Sequence, residues 1–242
     1  MCHSVYRDVL KRLNDSADEK FVDFSSKIIN GEKPLIGVKI PELRKIAKEI
    51  VRSKKVDEYL SECKFAYFED TLIYGFLIAT FPFDRFASFL DVYFKEVDSW
   101  GLVDSFVSSI VCAKKEGEKF FLFIKSRIDN SQGFELRFYI VSVLAFFISE
   151  DNLDFIFSFP NKYGGKGYYV EMSVAWLLSV VFVKFPEKTY DFLKSCEMDD
   201  WIFDKTLSKI CDSFRVSDED KSKIKQLRVE RNGNNSKNYR RI

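Results

Sequence analysis

The stretch Pro41-Glu42-Leu43-Arg44-Lys45-Ile46-Ala47-Lys48-Glu49-Ile50 decides the fold class. Leu43, Ile46, Ala47 and Ile50 fall at i, i+3, i+4 and i+7, so their side chains share one helix face behind a proline suited to a first turn. Phe86, Phe89, Leu90, Tyr93, Phe94 and Val97 repeat the spacing, as do Phe203, Leu207, Ile210, Cys211 and Phe214. The chain holds 26 phenylalanines, which are good strand formers. A sustained helical period outweighs that propensity, and the pattern predicts an all-α protein.

The rest of the chain reads the same way. Only ten glycines and five prolines punctuate 242 residues, against typical usages of about 7% and 5%. About fourteen helices are expected, among them 41–52, 66–80, 99–113, 133–148, 166–184 and 199–213. Short connectors make neighbours antiparallel, and the recurring pairs predict a HEAT-like helical-repeat solenoid, with a compact irregular bundle as the alternative. Residues 1–228 read as one such domain, with 31–40 as an ordered loop feeding the Pro41 helix. Residues 229–242 are polar, lack an apolar period and read as a flexible basic tail.

Composition closes several functional classes. The only histidine is His3, at a terminus where ordering is not expected, so Ser-His, Cys-His and His-metal chemistries lack a base or ligand set. Five widely spaced cysteines (Cys2, Cys63, Cys112, Cys196, Cys211) read as reduced thiols, with neither a disulfide framework nor a zinc motif. Gly164-Gly165-Lys166-Gly167 lacks the spacing of a phosphate loop and reads as a helix connector. The longest apolar stretch, Val174 to Val183, is interrupted by Ser179 and falls short of the roughly 20 residues of a spanning helix. With no secretory signal at the start, a cytoplasmic protein without a membrane anchor is expected. Any chemistry must come from carboxylates, aromatics and arginines, without metal or cofactor.

Net charge is +1, from 38 basic and 37 acidic residues. The tail carries +3 of this, through Arg231, Lys237, Arg240 and Arg241 against Glu230, and leaves the body at −2. Such a body binds nucleic acid only if its charges are segregated on one face. Arg44, Lys45 and Lys48 on the Pro41 helix, Lys205 and Lys209 at i, i+4, and Arg215 beyond them are the candidates. An ordinary solvated helix face fits the same spacing.

Asp98-Ser99-Trp100-Gly101-Leu102-Val103-Asp104-Ser105 places Trp100 and Asp104 one helical turn apart, an aromatic ring beside a carboxylate. A core tryptophan with a surface or capping aspartate fits those residues as well.

Further landmarks are Leu35-Ile36-Gly37-Val38-Lys39-Ile40-Pro41-Glu42-Leu43-Arg44, Leu136-Arg137-Phe138-Tyr139-Ile140-Val141 and Met172-Ser173-Val174-Ala175-Trp176-Leu177-Leu178. Together with the Trp100-to-Asp104 segment, and in this order and spacing, the chain to about residue 228 resembles the AlkD-like family of bacterial DNA alkylation-repair glycosylases. The resemblance implies HEAT-like repeats around a DNA-binding surface and excision of N3- or N7-alkylated purines from double-stranded DNA, by a monomer. It implies that Asp104 is the catalytic aspartate, Trp100 and Trp176 are the active-site tryptophans, and Arg137 is the active-site arginine, reaching an adjacent phosphate. The chain departs from the family pattern at Met172 and Ser179, where basic residues flank the second tryptophan, and at the aliphatic Ile28, where some members carry an aromatic. A non-catalytic helical-repeat protein binding DNA of unusual shape and a protein-interaction solenoid are the competing classes.

Overall fold

A computed structural model describes residues 4–238. Cys2, His3, Arg240 and Arg241 lie outside the described residues, which contain α-helices and short 3-10 turns and no strand. The chain divides into two compact units, one ending at Phe138 and one beginning at Tyr139.

The first unit contains α1 (Val5–Asp15), α2 (Glu19–Ile29), α3 (Ile40–Arg52), α4 (Val56–Glu62), α5 (Phe68–Ile78), α6 (Phe83–Lys95), α7 (Trp100–Val107), α8 (Cys112–Lys115) and α9 (Gly117–Arg127). The helix α10 (Gly133–Phe146) spans the division. Side chains cap the first two helices, Ser4 accepting from the Arg7 N–H and Asp18 from the Phe21 N–H. Helix α3 packs on α5 and α5 on α7, so every second helix joins one layer, with α4 and α6 beside it. This alternation is the signature of helical repeats. At the centre, all residues of α5 are buried, Glu69 and Asp70 included. Aromatic rings fill the space around it: Phe106 of α7 lies 4.4 Å from Tyr93 and 5.8 Å from Phe86.

The second unit contains α11 (Leu153–Phe157), α12 (Phe159–Tyr163), α13 (Tyr168–Lys184), α14 (Pro186–Ser195), α15 (Asp200–Asp212) and α16 (Asp218–Asn238). Apolar around most of its circumference, α13 is surrounded by α12, α14 and α15, and α15 packs in turn on α16. The glycine run at 164–167 connects α12 to α13, with the Gly165 N–H donating to Glu171 at 2.7 Å. No helix among the described residues is long and apolar enough to cross a membrane.

The structure departs from the sequence reading in three places. The expected helix 99–113 breaks after Val107, where the Ser108 and Ser109 hydroxyls donate to the Ser105 carbonyl and the Val111 N–H donates to Ala79. Phe214, expected on the apolar face of its helix, is fully exposed because α15 ends at Asp212. Helix α16 continues past residue 228 to Asn238, and Arg231, assigned to the tail, donates to the carbonyls of Cys196 and Met198 and pairs with Asp200 at 2.9 Å. A continuous backbone ladder and three carbonyl or carboxylate partners supply what the missing apolar period does not.

The described cysteines are all free thiols. Burial pushes Cys63 up to about 12 and Cys112 up to about 11, which keeps both protonated and unreactive at neutral pH.

Candidate functional site

Trp100 opens α7, directly after the buried Ser99. Gly101 lets this turn approach its neighbours: a Cβ there would stand 3.3 Å from the Phe68 ring and 3.8 Å from Ile29. The Trp100 indole N–H donates to the Ile28 carbonyl at 3.0 Å, satisfying one of the orphan carbonyls that end α2. That bond fixes the ring, which stays half-buried.

Asp104 follows one turn later and is half-buried. Arg137 reaches it from α10, Nε donating to Oδ1 at 3.0 Å and Nη2 to Oδ2 at 2.8 Å. The arginine itself is only 4% exposed. Its placement follows from the next residue, since Phe138 stacks on Phe106 of α7 at 5.6 Å and meets Phe94 at 5.0 Å. Packing one aromatic thus delivers the neighbouring guanidinium to the carboxylate two residues before Phe106. The Nε and Nη2 edge of the guanidinium is thus engaged by Asp104.

Two carboxylates that the sequence reading passed over hold the surrounding loop. Glu69, 1% exposed, accepts the N–H groups of Ile36, Gly37 and Val38 at 3.0, 2.8 and 3.2 Å. Gly37 has φ +97°, and a Cβ there would come within 2.6 Å of the Asp18 carbonyl. Asp98 accepts the Glu32 and Lys33 N–H groups at 2.8 and 2.6 Å. The segment 31–39 is therefore strapped between α5 and the turn that precedes Trp100. The visible signal was a Glu-Asp pair at the start of an otherwise apolar helix, since buried carboxylates need donors.

Trp176 lies in the second unit, half-buried on α13 between the buried Ala175 and Leu177. The basic candidates also divide. In the first unit Arg44 lies 4.6 Å from the Phe76 ring and donates to the hydroxyls of Ser109 at 2.6 Å and Ser108 at 2.8 Å, with Lys48 exposed one turn further along α3. In the second unit Lys205 is exposed over the Trp201 ring at 5.6 Å, Lys209 is half-buried and Arg215 is exposed beyond α15. Asp204, beside Lys205 in sequence, pairs with Arg228 at 3.0 Å.

A helical-repeat protein whose half-buried aspartate is clamped by an arginine, one turn from a tethered tryptophan, holds the elements of a carboxylate-based site. The family model of DNA alkylation repair enzymes matches residues 9–199, and the chain belongs to that family. The match takes in Trp100, Asp104, Arg137 and Trp176 and agrees with the resemblance read from the sequence. No curated protein sequence matches the chain.

Proposed function

We propose that the protein is a monofunctional DNA glycosylase that hydrolyses the N-glycosidic bond of N3- or N7-alkylated purines in double-stranded DNA, acting as a cytoplasmic monomer. The observation that carries this reading is the bidentate hold of Arg137 on Asp104 beside Trp100. An alkylated purine is cationic and departs neutral, so its release needs little proton donation. Positive charge builds instead on the deoxyribose. A carboxylate fixed in advance stabilises that charge without reorganising, and does so most strongly where water is excluded. Of the roughly four lone-pair positions of a carboxylate the arginine fork takes two, which leaves acceptor capacity for a water aimed at the sugar carbon. Indole faces attract the same positive charge, each by about 1 kcal/mol or more when desolvated. Trp100 fills one such place, and resemblance assigns the other to Trp176.

A second reading has its own support. Both oxygens of Asp104 accept from an arginine, as they would in a purely structural ion pair, and that favours a DNA-binding protein without turnover. Incubation with duplex DNA containing 7-methylguanine, followed by direct detection of free base, separates the two. Time-dependent release at enzyme-limited rate is the expected result. Tight duplex binding with no released base over the spontaneous background would replace the first reading with the second.

A further inference from the structure

Helix α3 carries Arg44, Lys48 and Arg52 at i, i+4 and i+8, along one stripe. They rim a cavity of about 440 Å³ with Phe76, Ser108 and Ser109. Its wall is otherwise apolar, through side chains such as Val51, which is 38% exposed. None of the three cations has a carboxylate partner among the described residues, whereas Arg12, on α1, pairs with both Glu42 and Glu49. Arg44 is held in place by its Phe76 contact and by two serine hydroxyls, and burial lowers its guanidinium from its ordinary value. A cation withdrawn from water and given only neutral partners is stabilised by an incoming anion.

We propose that this cavity takes one backbone unit of the DNA strand, its phosphate on the Arg44, Lys48 and Arg52 stripe and its deoxyribose against the apolar wall. The proposal rests on the DNA reading above and deepens it. Three uncompensated cations on an otherwise near-neutral chain choose a polyanion, and an apolar wall beside them suits the carbon face of a deoxyribose. The cavity also lies close to Asp104. Ser108 caps α7 one turn beyond Asp104, and Arg44 Nη2 also reaches the Ser105 carbonyl at 3.4 Å.

The test uses the full chain and an undamaged 12-base-pair duplex, with affinity measured by fluorescence anisotropy across a salt series. The variants are a Lys48→Ala, Arg52→Ala double substitution and Val51→Glu, which sets a carboxylate into the cavity from an already exposed position. A Lys11→Ala, Lys95→Ala double substitution removes the same charge elsewhere. Circular dichroism confirms that each variant is folded. Both cavity variants should bind several-fold more weakly than wild type, and the double variant should show a salt slope shallower by about 0.9 for each lost phosphate contact. Cavity variants that bind as wild type does, with an unchanged slope, overturn the proposal. Equal weakening by the Lys11 and Lys95 control does the same, because attraction is then diffuse. Adenosine monophosphate serves as the probe for a free nucleotide. If it binds wild type and is lost in the cavity variants while their duplex affinity is unchanged, the site serves free nucleotides and the strand assignment falls. Weakened duplex binding by a protein that releases no methylated base leaves this subsite standing and removes the glycosylase reading; base release with unaffected duplex binding does the reverse.

Discussion

Arg137 grips both carboxylate oxygens of Asp104, across 33 residues of chain, and does so while almost wholly buried. The pair fixes the plane of the carboxylate on two helices at once, α7 and α10. Replacement of Asp104 by Asn therefore does two things. Under the proposed mechanism it removes the negative charge that would face the sugar and leaves a guanidinium beside a developing cation. Base release from 7-methylguanine duplex should fall by at least about 10²-fold, with duplex affinity retained. Release at the wild-type rate by a folded Asp104→Asn protein would exclude the carboxylate mechanism.

Under the proposed mechanism Arg137 acts through Asp104 as a positioning residue. Arg137→Lys keeps the charge but replaces a planar fork with a point donor, so it should fail to restore what Arg137→Ala loses. Both variants should lower kcat for base release more than they raise KM. Because removal of one partner of a buried ion pair costs about 3–5 kcal/mol, urea titrations should show Arg137→Ala as clearly destabilised. A full kcat for the lysine variant would refute the requirement for the fork.

The strap over residues 31–39 hangs on Glu69. Glu69→Gln retains one acceptor oxygen but places an amide donor against backbone N–H groups that are themselves donors. Loss of about 1–3 kcal/mol is expected for the groups left unsatisfied. Hydrogen exchange should locate the loss in residues 36–38, and uniform loss across the chain would count against the local account.

Burial raises the Asp70 carboxyl, with the Tyr6 hydroxyl and the Tyr67 and Ala66 N–H groups opposing the shift only in part. A carboxyl raised in the folded state binds its proton more tightly there than in the unfolded chain. Its stabilising contribution is complete below the ordinary carboxylate value and is lost as pH rises through the raised one. Asp70→Asn does not titrate, so its stability relative to wild type should improve between about pH 4 and pH 7. Denaturation midpoints at the two pH values decide this; a difference that is constant, or that moves toward wild type, contradicts it.

Truncation after Arg228 removes Arg231 and its bonds to Cys196, Met198 and Asp200. A drop in stability of about 1–3 kcal/mol is expected, visible as a lower Tm. An unchanged Tm would mean that this end of α16 contributes nothing to the body.

Helices such as α3 and α6 were legible because their apolar period is local: a buried face imposes its spacing on the residues that form it, whatever covers it. The four-residue spacing of Trp100 and Asp104 was legible for the same reason. Periodicity does not name the partner. Nothing in the order of residues pairs Asp104 with Arg137, which depends on Phe138 stacking against Phe106, or gives Glu69 the three N–H groups of residues 36–38. Phe214 and α16 mark the opposite limits. Phe214 keeps the helical spacing but lies beyond the end of its helix, and α16 lacks an apolar stripe past residue 228 yet has Arg231 bonded to two carbonyls and Asp200. Sequence alone determined which faces seek burial, because apolar spacing is a property of neighbours in the chain. Tertiary structure decided which charges meet, because a buried carboxylate or guanidinium is stabilised by whichever donors and acceptors packing delivers to it.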